Sequence, residues 1–262
     1  MAKGLEENEM KVYEICFSPT GGTKKAADML AEALSDEIQA VDLTDGKGSF
    51  SDITLEKKDV ALIAVPSYGG RVPQPAIQRL SMIHGNGARA VLVCVYGNRA
   101  YEDTLAELQD TAKQSGFCVI SAVSAIAEHS IVRQIAAGRP DVQDQKTLRE
   151  FAGKIRTKLE AEDNSEPAIP GNRPYKKGGG AGMVPKPGKK CVKCGLCSEK
   201  CPVQAIDPED PGKVDAKTCI SCMRCVAICP HSAREVNRVM LSAASVMLKK
   251  ACAGRKECEL YI

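Results

Sequence analysis

The chain has 262 residues, 44% hydrophobic and 26% charged, with a net charge of +3 and no apolar run of membrane-spanning length. Tryptophan is absent and aromatics make up only 4%, which argues against the stacking platforms that hold single-stranded nucleic acid. Thirteen cysteines are present, eight of them between Cys191 and Cys229; in a reducing compartment such crowding points to metal rather than disulfides.

Met1 to Lys11 is polar and acidic, without the basic-then-apolar layout of a secretory signal, so the expected location is the cytoplasm. Charge is uneven along the chain. Residues 1–163 hold 19 Lys/Arg against 24 Asp/Glu, and residues 164–262 hold 17 against 9. A basic half can face an anionic partner, but thiolate-bound metal is itself anionic and offsets part of that excess. No nucleic-acid or membrane partner is expected.

Residues 11–162 alternate apolar runs with amphipathic stretches. Strands are expected at 12–17, 38–43, 60–65, 90–96 and 117–127, and helices at 23–35, 75–84, 101–114 and 141–162. The run from Val60 to Val65 is apolar throughout, as a strand covered on both faces should be. The pattern predicts an α/β fold, a doubly wound five-stranded parallel sheet over residues 1–163.

Three loops follow strands and so fall at the carboxyl edge, where such sheets bind ligands. Ser18-Pro19-Thr20-Gly21-Gly22-Thr23 leads from the first strand into a helix, an arrangement of backbone N–H groups and hydroxyls suited to phosphate; it does not match the nucleotide P-loop. Ser67-Tyr68-Gly69-Gly70-Arg71 follows the third strand, and Tyr96-Gly97-Asn98-Arg99-Ala100-Tyr101 follows the fourth. The first loop matches the [ST]-x-T-G-x-T loop of flavodoxins, and residues 10–162 resemble that family. The resemblance implies FMN, with Ser18, Thr20, Gly21, Gly22 and Thr23 around its phosphate. It also implies Tyr68 and Tyr101 flanking the ring, with Ser67, Gly69, Gly70, Tyr96, Gly97, Asn98 and Arg99 near it. The sequence departs from many flavodoxins in lacking tryptophan and in following the phosphate loop with Lys24 and Lys25. Glu128-His129-Ser130 ends the fifth strand; His129 is either a flavin-side proton donor or partner contact, or a loop anchor. His84 and His231 are read as structural.

Residues 164–188 contain eleven Pro or Gly among 25 positions and read as a linker, extended at the prolines, flexible at the glycines and free to lie along a domain surface. The cysteines then repeat. Cys191-Val-Lys-Cys194-Gly-Leu-Cys197-Ser-Glu-Lys-Cys201-Pro202 is followed by Cys219-Ile-Ser-Cys222-Met-Arg-Cys225-Val-Ala-Ile-Cys229-Pro230. Both copies read C-x2-C-x2-C-x3-C-P, a spacing that wraps three cubane corners and sends the fourth thiolate to the other cluster. Zinc and disulfides are the alternatives, but zinc sites use two separated C-x2-C pairs. The segment resembles the bacterial two-cluster ferredoxins. That resemblance implies one [4Fe–4S] cluster on Cys191, Cys194, Cys197 and Cys229, and a second on Cys219, Cys222, Cys225 and Cys201. Residues 189–262 are assigned to a small α+β ferredoxin-type domain ending in a helix at 234–253. Cys16, Cys94 and Cys118 read as small core residues; Cys252 and Cys258 are spare thiols or a third metal site.

The combination resembles the flavodoxin–ferredoxin fusions of anaerobes. It implies an electron-transfer protein that passes electrons between the clusters and FMN and on to or from a redox partner protein, with no catalytic residue of its own and with a homo-oligomer left open. Two alternatives stand beside it. One is a flavin-dependent reductase of a small organic substrate fed by the ferredoxin half, with Arg71, Arg99, Tyr101 and His129 in its pocket. The minimal length of the first domain argues against it. The other is a redox-responsive regulator, for which no effector motif is present.

Overall fold

The computed structural model describes residues 10–179 and 182–262. The N-terminal stretch that bears on export (residues 1–9), together with Gly180 and Ala181, lies outside them. Chain order begins β1 (Val12–Cys16), α1 (Gly22–Leu34), β2 (Ile38–Asp42), β3 (Val60–Pro66), α2 (Gln74–Leu80), β4 (Arg89–Tyr96), α3 (Thr104–Gln114), β5 (Cys118–Ile126) and α4 (Val142–Glu160). It continues with β6 (Lys186–Pro187), α5 (Leu196–Glu199), α6 (Arg224–Ala227), β7 (Arg234–Glu235), α7 (Arg238–Ala251) and β8 (Glu259–Tyr261).

Five strands run parallel in the order β2-β1-β3-β4-β5, the flavodoxin-like order whose switch point lies between β1 and β3. Alternation along β3 divides the core: Val60, Leu62 and Ala64 face the layer formed by α1 and α4, while Ala61, Ile63 and Val65 face α2 and α3. Burial on both faces is what makes β3 a continuous apolar run. α1 buries Ala26, Ala27, Leu30, Ala31 and Leu34, the stripe of a helix laid on a sheet. α4 opens on a capping box in which Asp141 accepts from the Asp144 N–H and Asp144 accepts from the Asp141 N–H.

Several boundaries differ from the sequence reading. α2 ends at Leu80 rather than 84, where His84 bridges to Thr54. α3 starts at Thr104 because Tyr101 to Asp103 form a turn, with Glu102 at φ +45°. The terminal helix starts at Arg238, since Arg234 and Glu235 pair with Pro187 and Lys186. The largest difference is β8, which joins β5 antiparallel, pairing Tyr261 with Ala122 and Glu259 with Ser124. The chain therefore returns to the first sheet, in which Glu259–Tyr261 is the sixth strand among the described residues.

The linker is laid along α3. Asp103, buried, accepts from the Asn172 N–H (2.8 Å), the Asn172 side chain (3.0 Å) and the Lys176 N–H (2.7 Å). Arg173 reaches Asp110 at 2.7 Å, and Tyr175 also donates to Asp110. The backbone N–H groups of Lys176 and Asn172 hold the Asp103 carboxyl below its ordinary range. A depressed folded pKa means that this hold exists above the unfolded value near 3.9 and is lost as pH falls further. Limited proteolysis at 172–179 is therefore expected to rise below about pH 4 and, in Asp103→Ala, already at neutral pH; equal cleavage of that variant and wild type would contradict this role.

Candidate functional site

A cavity of about 530 Å³ opens at the carboxyl edge of the sheet, within the size range of cofactor pockets. Its floor comes from the loops singled out in the sequence: Thr20, Gly22, Thr23, Ser67, Tyr68, Gly69, Tyr96 and Gly97 all line it. Gly21 caps α1 at φ +89°, a conformation glycine adopts without strain. The first turn of α1 thereby presents N–H groups that have no partner within the helix, toward which an anion is drawn.

Other expected residues have different employment. The Ser18 hydroxyl accepts from the Lys24 N–H at 2.9 Å and serves as a cap behind the loop. Gly70 faces Glu102 instead of the cavity. Asn98, buried at φ +60°, donates to the Cys252 and Gly254 carbonyls at 2.8 and 2.9 Å, so its amide fastens the C-terminal tail. Arg99 is paired with Glu102 at 2.9 Å. The Tyr101 hydroxyl meets Tyr261 at 2.6 Å and Glu259 at 2.9 Å, while its ring stands edge-on to Tyr96 at 5.3 Å. Of the tyrosines offered by the sequence, Tyr68 and Tyr96 line the cavity and Tyr101 does not.

His129 lines the same cavity. Its Nδ1 accepts from the Ile131 and Val132 N–H groups at 3.2 and 3.1 Å, which assigns the hydrogen to Nε2. Burial, with Arg99 nearby, pushes its pKa down, so the ring is a neutral donor at pH 7. It is a loop anchor at one nitrogen and an available donor at the other.

The sequence did not disclose the roof. Met183 from the linker, Ile220 and Ser221 from the cysteine-rich unit, and Met240, Ala243, Ala244, Met247 and Leu248 of α7 close over the cavity. The α7 positions are spaced i, i+3, i+4, i+7, i+8, one face of a helix. That stripe is visible in the sequence, but which surface it covers is not. The cover is partial: no residue of α7 is buried and Met247 is 80% exposed, so the cavity stays open to solvent on that side.

In the cysteine-rich unit Cys191, Cys194, Cys197 and Cys229 line one small cavity. Cys219, Cys222, Cys225 and Cys201 form a second neighbourhood, in which nearby sulfurs add to burial in raising the pKa of Cys219, Cys222 and Cys225. Burial is the largest cause there and pushes the Cys222 thiol up to about 12. Proton loss then needs a compensating cation, as metal supplies. The duplication is repeated in the backbone: Lys193 and Ser221 both have positive φ, and Gly195 and Met223 cap α5 and α6 in the left-handed region. Ala205 and Ala233 donate their N–H groups to Cys201 and Cys229 at 3.4 and 3.3 Å, the kind of bond that supports sulfur bearing negative charge. Among the described residues no group of three His, Cys, Asp or Glu side chains is placed to hold a metal ion as it stands. The donor set suits a thiolate-bound cluster.

The cysteine-rich unit is docked on the sheet edge. Arg224 donates to the Pro19 carbonyl at 3.3 Å, and Arg79 bridges the Leu43 and Pro202 carbonyls. Cys222 lies close enough to Tyr68 to help burial push that hydroxyl's pKa up. Cys16 and Cys94 are core residues whose thiols burial pushes up. Cys252 and Cys258 point to the Gly97 carbonyl and to Asp144, each at 3.9 Å.

Residues 190–233 match the family described as the 4Fe-4S dicluster domain. No curated protein matches the chain. Among solved structures it is similar to a flavodoxin of Streptococcus pneumoniae TIGR4 (21% identity, 57% of this chain and 98% of that one, TM-score 0.39). It is also similar to oxidised flavodoxin 1 of Bacillus cereus (17%, 56% and 97%, TM-score 0.41) and to two-electron reduced Megasphaera elsdenii flavodoxin (17%, 55% and 98%, TM-score 0.37). No helix among the described residues is long and apolar enough to cross a membrane.

Proposed function

We propose that this chain, an iron–sulfur domain joined to a flavodoxin-like sheet, passes electrons between two [4Fe–4S] clusters and FMN within one polypeptide. The first cluster is assigned to Cys191, Cys194, Cys197 and Cys229, and the second to Cys219, Cys222, Cys225 and Cys201. FMN is assigned to the 530 Å³ cavity. One observation carries the reading: Ile220 and Ser221, between two ligands of the second cluster, line the same cavity as the phosphate loop. When bound, clusters supply one-electron steps and a flavin accepts one or two.

The residues divide the work. Thr20, Gly22 and Thr23 receive the phosphate, and Tyr68 and Tyr96 bound the ring. His129 would offer Nε2–H to its edge, and α7 covers the cavity in part. A cytoplasmic location and a protein redox partner complete the reading. Anaerobic reconstitution is expected to give about eight irons and one FMN per chain, with flavin bleaching at a rate independent of protein concentration once the clusters are reduced. A rate that scales with concentration would mean that electrons pass between chains instead.

The cavity, with His129 on its wall, also favours a second reading, a flavin-dependent reductase of a small molecule. Turnover of an organic acceptor without a partner protein distinguishes it from the carrier.

Gly97 is a direct test of the cavity. A Cβ there would stand 2.6 Å from the His129 Cδ2, and His129 cannot retreat while its Nδ1 is bonded. Gly97→Ala is expected to cost about 1–3 kcal/mol of stability and to weaken FMN binding at least tenfold, about 1.4 kcal/mol. Fluorescence titration reads the affinity; unchanged binding would move the flavin away from this loop.

A further inference from the structure

The internal duplication places two unlike residues at one position. Cys201-Pro-Val-Gln-Ala205-Ile206 corresponds to Cys229-Pro-His-Ser-Ala233-Arg234, and the bonds from Ala205 and Ala233 to the cysteine sulfurs show that the two stretches follow the same course. Ile206 is 5% exposed and Arg234 is 4% exposed. An arginine thus occupies the buried place that an isoleucine fills in the other copy.

A buried guanidinium needs an anion or a full set of acceptors. Arg234 has neither from the polypeptide. Its Nη1 donates to the Pro211 carbonyl at 2.6 Å, while Nε and Nη2 are buried without an oxygen or nitrogen acceptor. Among the described residues no carboxylate pairs with it. What surrounds it is sulfur: it lines the small cavity with Cys191, Cys194, Cys197 and Cys229. On the other side it stands beside Cys219 and within side-chain hydrogen-bonding reach of Cys225, both in the other quartet.

We propose that Arg234 is a buried cation shared by the two clusters, its free N–H groups directed at their sulfur and its charge raising both midpoint potentials. The inference rests on the two-cluster reading. Each cluster gains one negative charge on reduction, so a fixed positive charge between the two favours both reduced forms. Hydrogen bonds to sulfur and local charge are established levers on cluster potential, and exclusion of water strengthens both. Arg234 is a positioning and tuning residue, not a ligand.

The test uses the full chain, reconstituted anaerobically, with Arg234→Gln, Arg234→Lys and Arg234→Ile; the last installs the residue of the first copy. Iron content and redox titration followed by electron paramagnetic resonance are measured together. In Arg234→Gln the midpoints of both clusters are expected to fall, so that at a fixed poise the reduced-to-oxidised ratio of each drops about tenfold, which is 59 mV for one electron. Arg234→Lys is expected to retain most of the wild-type potential. The difference is expected to persist in 1 M salt, which screens surface charge but not a buried one. Wild-type midpoints in Arg234→Gln would overturn the proposal, and a shift in one cluster alone would overturn the shared role. If Arg234→Ile takes up no iron, the Gln and Lys variants still decide: equal potentials in those two would mean that the side chain only fills space. Failure of the wild-type chain to bind eight irons would sink the two-cluster reading instead.

Discussion

Cys222→Ser is expected to remove one cluster and, with it, reduction of the flavin by any donor that enters at the other. Iron should fall from about eight to about four per chain, because the ligand sets are separate: Cys191, Cys194, Cys197 and Cys229 line their cavity without Cys222. The loss should be functional beyond its share of the iron. Cys222 neighbours Tyr68 at the flavin cavity, and Ile220 and Ser221 beside it form part of the cavity wall. Cys194→Ser is the control. It should also lose about four irons, but it leaves the cluster nearest the flavin in place, so an external one-electron reductant should still bleach FMN through that cluster. Matching loss of flavin reduction in the two variants would contradict the order of the cofactors. Retention of eight irons in Cys222→Ser would contradict the assignment of Cys222.

Asp144→Ala is expected to be the most destabilising single substitution outside the cysteines. Asp144 is 1% exposed and accepts from the Arg139 Nε at 2.8 Å, from the Arg139 Nη2, from Arg255 at 3.0 Å and from the Asp141 N–H at 2.9 Å. Arg139 is itself buried and donates to the Lys256 carbonyl at 2.8 Å. One carboxylate therefore ties the start of α4, the loop after β5 and the C-terminal tail. Removing it leaves a buried guanidinium without its counter-charge, a loss of about 3–5 kcal/mol. Because the tail follows α7, the roof over the cavity should loosen too. Urea denaturation gives the stability change, and proteolysis after Ala251 together with FMN affinity gives the local one. Asp144→Asn keeps the shape and some acceptor capacity, so it should lose less. A loss below 1 kcal/mol in Asp144→Ala would show that water replaces the carboxylate.

The tail has an acid dependence as well. Hydrogen bonds from Arg255, followed by those from backbone N–H groups, hold the Asp141 carboxyl well below its ordinary range. The charged form is favoured in the folded state, so its contribution is present above the unfolded value near 3.9 and disappears as pH falls below it.

Much of this protein was legible from local pattern. Apolar runs and amphipathic stretches announced five strands and four helices, because burial on a sheet imposes a period on each element separately. The eight cysteines announced an iron–sulfur domain, because a cubane fixes ligand spacing within a dozen residues. The loops after β1, β3 and β4 were found for a related reason: a doubly wound sheet puts them at one edge whatever its details.

What remained hidden depends on contacts between residues far apart in the chain. β8 is three residues long and carries no period, and only its pairing with β5 makes it a strand. That return of the chain took the Asn98 amide and the Tyr101 hydroxyl, which the sequence offered to the flavin, and gave them to the tail. It also leads α7 across the cavity, turning an amphipathic stripe into a roof. Sequence thus determined which residue types and spacings can hold clusters and phosphate. Tertiary structure decided which side chains were left free to face them, because a hydrogen-bonding group already satisfied elsewhere in the fold is no longer available to a ligand.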